Sequence, residues 1–309
     1  MRAWIVWSFF LWLAFGMHAD AQAAAENQKL TPAEQAYLAF AKIEQSHFGQ
    51  DDQASILARA YDTRFTPMQS PHLLAQASDR DVAALFRASS SVSFYAPSPS
   101  HLSDLRHDFS ELEKRGAATD EQRQDVFEAL FQSRDLAEMQ RFAASHPNAG
   151  LPSPVTSDLA FSPGQIHSLL SVTGPHTVHP SVAVIPSGPF VVVISHPGCH
   201  FTQHAVQAIE HDEALRAMIK DHSVWVAPAD RNVDLSGFVA WNTAHPIAPI
   251  ALAGSRDAWP EVRNWRTPTF LFFRNGHLVQ QVTGWPKEGN ASALKQAWAN
   301  ISGVNAGGA

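Results

Sequence analysis

The stretch SHPGCHFTQHA, Ser195 to Ala205, gathers residue types able to do thiol or metal chemistry. It holds Cys199, the only cysteine among 309 residues, with His196, His200 and His204 around it. It follows directly on the apolar run PFVVVI, so the thiol stands where a buried strand gives way to a helix. Unpaired N–H groups and the partial positive charge of a helix start favour thiolate over thiol. Protonation of His196 or His200 would add positive charge. Pro197 and Gly198 supply the tight turn that exposes the sulfur. Against this stands the inert alternative, a cysteine buried as a small hydrophobe.

A single cysteine closes no intramolecular disulfide and cannot resolve its own mixed disulfide. What remains is one-thiol chemistry. Cys199 attacks a disulfide and is released by an external thiol or by the substrate's own second cysteine. A disulfide between two copies of Cys199 is a further option. A metal alternative uses His196, Cys199, His200 and His204, which suit copper(I) or zinc. Adjacent Cys199 and His200 project differently from a helix, however, and a structural zinc site takes four converging ligands. The G-x-G-x-x-G, P-loop, H-E-x-x-H and G-x-S-x-G motifs are absent, and no cofactor is expected. A net charge of −7 without Lys/Arg clusters excludes a nucleic-acid partner.

These residues need elements to position them. Residues 1–21 read as a secretory signal: Arg2, an apolar h-region, and a small-residue cleavage site after Ala21. The mature chain is then exported, periplasmic in a Gram-negative bacterium and otherwise secreted, with no stable membrane span. Residues 26–147 read as a helical N-terminal domain, a bundle or cap. Thr31 with Glu34 and Thr119 with Gln122 form capping boxes, Ser78 begins another helix, and a helix over about 98–116 ends on Gly116. QSRD, Gln132 to Asp135, is a candidate break. Prolines and serines crowd residues 148–188, read as a linker into the second domain with one edge strand at SVAVIP.

From 189 to 302 the order is strand, helix (FTQHAVQAIEHDEALRAMIKDH), strand (SVWVAPAD), a long insert over 230–265, a hairpin and a closing helix capped by Asn290. Asn275-Gly276 marks the hairpin turn. Residues 303–309 read as a disordered tail. The Trp-rich AWPEVRNWRTP is either a groove lining or core.

PGCHFT at a strand–helix turn, RTPTFLFF, and RNGHLVQQVTGW in this order resemble the thioredoxin family over about residues 185–302. The implied fold class is an α/β thioredoxin-like domain, a central mixed sheet flanked by helices, preceded by the all-α region. The resemblance places Cys199 at the nucleophile position of C-x-x-C and Thr202 at the resolving one. There, the Thr202 hydroxyl would hydrogen-bond the thiolate. Pro268 corresponds to the cis-proline, and the backbone of Thr267 would pair with an extended substrate beside the sulfur. Catalytic candidates are thus Cys199, Thr202 and His200, and substrate-binding candidates Thr267, Pro268 and Gly198. The expected activity is thiol–disulfide exchange with a client or redox partner protein. The alternative is a redox-inactive thioredoxin-fold module that binds or scaffolds a partner. The insert has no reading from the family.

Overall fold

The computed structural model describes residues 29–303; the expected signal segment and the tail beyond Gly303 lie outside them. Among the described residues are eleven α-helices and one mixed sheet of eight strands. None of these helices is long and apolar enough to cross a membrane.

The N-terminal region is helical: α1 Pro32–Ser46, α2 Gln53–Arg64, α3 Pro71–Gln76, α4 Asp79–Tyr95, α5 Pro99–Lys114, α6 Asp120–Gln132 and α7 Leu136–Ser145. Side chains accept from first-turn N–H groups in all of these helices but α2. Thr31 Oγ1 accepts from Glu34 N at 3.2 Å while Glu34 Oε2 accepts from Thr31 N at 2.8 Å. Thr119 and Gln122 repeat the exchange on α6. QSRD does break the helix: Arg134 adopts φ 61°, and Asp135 then caps α7 by accepting from Glu138 N at 3.1 Å.

The sheet runs β1-β3-β2-β6-β5-β4-β7-β8. At its centre, β4 (Phe190–Ile194) pairs parallel with β5 (Ser223–Ala227), itself parallel to β6 (Ile250–Ala253). On its other side β4 pairs antiparallel with β7 (Thr269–Arg274), which turns through Asn275 and Gly276, both at positive φ, into β8 (His277–Thr283). Successive residues of β4 serve opposite faces. Val191 and Val193 join one apolar cluster with Trp225, Phe270 and Phe272. Val192 and Ile194 join another with Val226, Leu271 and Trp259. A strand covered on both faces is apolar throughout, which is why PFVVVI carries no alternation.

The structure departs from the sequence reading in four places. The expected linker 148–188 carries three strands, β1 (Thr156–Ser157), β2 (Ser168–Gly174) and β3 (Thr177–Val182). They extend the sheet because β2 pairs antiparallel with β6. The edge element is TVHPSV rather than SVAVIP: Ser181 and Val182 pair with β2, and Ala183 to Pro186 lie beyond the strand. Pro180 sits past the end of the two-residue β1, where a missing N–H costs no ladder bond. The long helix after Cys199 is two, α8 His200–His211 and α9 Glu213–His222. Asp212 leaves the helical region and caps α9 through its bond from Leu215 N at 3.1 Å. The 230–265 insert supplies α10 (Ser236–Ala244) and β6. The chain closes with α11 Ala291–Ser302; Asn290 stands at its cap, its side chain donating instead to the Gly284 carbonyl at 2.7 Å.

Helices α4 to α7 share one apolar cluster with the sheet, where Phe86, Phe109 and Leu130 meet Leu170 and Trp225. Arg231 crosses the same junction, donating to the Ser90 carbonyl at 2.9 Å, Ser90 Oγ at 3.1 Å and Gln132 Oε1 at 3.2 Å. Within the helical region Asp108 is fully buried, accepting from Ser89 Oγ at 2.8 Å and Gln69 Nε2 at 3.2 Å, with Oδ1 unpartnered. Burial, reinforced by the Asp104 charge, pushes its carboxyl up to about 7 despite those bonds.

The fold therefore holds a proton on Asp108 that the unfolded chain sheds near pH 4, so stability falls as pH rises from there to about 7. Asp108→Asn should gain roughly 2–3 kcal/mol on wild type between pH 5 and pH 8. Urea unfolding at both pH values measures this. An unchanged difference between the two proteins would contradict it.

Candidate functional site

The register of β4 against β7 builds the site. Ile194, the last residue of β4, pairs with Thr269, the first of β7. The turn after one strand therefore faces the loop before the other. Ser195 stays tied to the sheet through its N–H to the Val226 carbonyl at 2.9 Å. The chain then bends through Pro197 and Gly198, closed by Cys199 N donating to the His196 carbonyl at 3.0 Å. A Cβ at Gly198 would stand 3.2 Å from His196 Nδ1, so the turn packs closely there. Cys199 is the N-cap residue of α8.

Cys199 is partly exposed, and its Sγ donates to the Thr267 carbonyl at 3.3 Å. Thr267–Pro268 is cis. The neighbouring carbonyls are occupied: that of Arg266 accepts from Thr269 Oγ1 at 2.7 Å and that of Pro268 from Gly284 N at 2.8 Å. Burial alone would raise the thiol. The donors around the sulfur, the Thr267 side chain, the Thr202 N–H and hydroxyl and the Phe201 N–H, favour the thiolate by more than burial opposes it and hold the thiol below its ordinary value. The bond to the Thr267 carbonyl needs the sulfur proton and is given up on ionisation, when the first-turn donors take over.

Thr202 is fully buried, its hydroxyl 3.5 Å from Ser195 Oγ. His200 is exposed, its ring against Phe201 (4.1 Å between centroids) and His204 (5.1 Å). His196 is held elsewhere. Its Nδ1 accepts from Gly198 N at 3.0 Å, placing the ring proton on Nε2, which is buried without a hydrogen-bond partner, 3.6 Å from Asp230 Oδ2. Phe238 meets the ring edge-on at 5.1 Å. Asp230 and Phe238 both come from the insert, which thereby braces the turn. Sequence reading missed them because nothing local links them to Cys199. Among the described residues, no three of His, Cys, Asp and Glu are placed to hold a metal ion, and His196, Cys199, His200 and His204 are not brought together as ligands.

The loop before Pro268 is held by the helical region. Asn264 Nδ2 donates to Asp51 Oδ1 at 2.5 Å, and the Arg266 guanidinium meets Asp51 at 3.2 Å and the Gly49 carbonyl. The Trp-rich stretch is core: Trp259 is buried, with Trp265 packed against the same cluster.

Compared with protein-family models, curated proteins and solved structures, the chain matches none.

Alkylation of Cys199 by iodoacetamide should rise with pH and reach half-maximum below the value for the same protein in urea. Thr202→Val should move that midpoint upward and slow the reaction several-fold at pH 7, because it removes a donor to the thiolate. Coincident curves for the native and unfolded protein would contradict the assignment.

Proposed function

We propose that residues 189–302 form a thioredoxin-like domain whose Cys199 performs one-thiol disulfide exchange on a client protein. The observation that carries this reading is the position of Cys199 Sγ, at a helix start and 3.3 Å from the carbonyl of Thr267. Further support comes from the β4–α8–β5 unit followed by β7–β8–α11, and from the cis Thr267–Pro268 bond. The signal-like segment at residues 1–21 favours an exported protein, in a compartment where client disulfides persist.

In this reading, the Cys199 thiolate attacks one sulfur of a client disulfide. The client S–S bond breaks, its electron pair leaves as a client thiolate, and a Cys199–client disulfide forms. A second thiolate, from the client or from an external thiol such as glutathione, then attacks the client sulfur. A new client disulfide forms and Cys199 departs as thiolate, so no net oxidation occurs. Thr202 stabilises the departing thiolate, and the Thr267 backbone aligns an extended client segment beside the sulfur. Phe201, 46% exposed two residues after Cys199, offers an apolar contact to that segment.

With glutathione present, the wild-type protein should speed recovery of a disulfide-scrambled test enzyme several-fold, and Cys199→Ser should abolish the effect. Equal rates for the two proteins would overturn the exchange reading and leave a redox-inactive binding module.

A further inference from the structure

A cavity of about 530 Å³ lies where the helical region meets the sheet, apart from Cys199. Its walls are largely apolar, with Pro97, Leu102, Phe161 and Pro163 among them, and two arginines, Arg134 and Arg256, line it as well. Arg134 is only 3% exposed, held at positive φ in the α6–α7 corner. Its Nε donates to the Ala253 carbonyl and its Nη1 to that of Phe131, both at 3.1 Å, while Nη2 has no acceptor. Arg256 donates from Nη1 to the Tyr95 carbonyl at 3.1 Å, and its buried Nε has no acceptor. Ser93 Oγ, on the same cavity, is buried without a partner.

Buried donors left without acceptors are costly and rare, and three of them belong to residues that line one cavity. Among the described residues neither arginine makes an ion pair within 4.0 Å. Asp230 is the carboxylate whose field reaches both, and it forms an ion pair with neither. Asp135 and Asp257 line the cavity too, Asp135 capping α7 and Asp257 exposed. Two helices, α5 and α7, also begin at this wall, with Pro99 and Asp135 lining it. Two arginines and two aspartates thus line the cavity, but neither guanidinium is paired with a carboxylate, and the apolar walls enclose a volume that suits a small organic ligand.

We propose that this cavity binds an amphipathic oxyanion: an apolar body with a carboxylate or phosphate-monoester head that accepts from Arg134 and Arg256.

The test is calorimetric titration of the full chain with octanoate, octyl phosphate, octanol and inorganic phosphate. Octanoate or octyl phosphate should bind one to one, at least tenfold more tightly than octanol or inorganic phosphate; the tighter of the two names the head group. Arg256→Gln should weaken that binding roughly tenfold. Gly164 lines the cavity, and a Cβ there meets nothing within 4 Å, so Gly164→Phe should fold and occlude the site. Failure of both anions to bind saturably, octanol binding as tightly as octanoate, or affinity unchanged in Gly164→Phe would each overturn the proposal.

Discussion

The antiparallel pairing of β4 with β7 is the constraint on which the rest depends. Ile194 opposite Thr269 ends one strand where the other begins, so the turn carrying Cys199 and the loop carrying Thr267 and Pro268 must meet. A slip of one residue would turn Val193 and Ile194 toward the wrong faces and separate the sulfur from the Thr267 carbonyl. Two apolar clusters enforce the register, since each alternate side chain of β4 is buried in one or the other. Full burial of each such valine or isoleucine contributes about 1.5–3 kcal/mol, so the site geometry is anchored by core packing rather than by the turn.

Around that frame, contacts distant in sequence hold the reactive loop from two sides. The helical region reaches it through Asp51 and Gly49, which engage Asn264 and Arg266. The insert reaches it through Phe238, which packs edge-on against the His196 ring, with Asp230 alongside. Arg231 fastens the insert to Ser90 and Gln132 of the helical region. The helical region and the sheet therefore share both a core and a polar junction, and the thiol environment depends on each.

How much of this was legible in the sequence follows from how local each signal is. The strand–turn–helix around Cys199 shows because an apolar run ends in His-Pro-Gly. The hairpin shows because Asn275 and Gly276 both accept positive φ. Capping boxes at Thr31 and Thr119 are likewise local. The strands within 148–188 were hidden because Pro180 interrupts β3, and only the position of that strand at the end of β1 makes it tolerable. The break at Asp212 was hidden by a helical apolar period that continues across it. The QSRD break was legible, but the burial of its Arg134 was not, because only the docking of that corner against β6 buries it. At the site, Thr202 and Thr267 were legible through family resemblance, whereas Asp230 and Phe238 became visible only in three dimensions.

The central claim is that Cys199 and the Thr267 backbone act together on an extended disulfide-bearing segment. Its most direct test is amide hydrogen exchange at Thr267 in a covalent adduct between the protein and an extended peptide activated as a mixed disulfide. The account predicts a one-to-one adduct on Cys199, with exchange at Thr267 slowed relative to the free protein. An adduct that leaves Thr267 exchange unchanged, or no adduct at a pH where a free cysteine reacts, would contradict it.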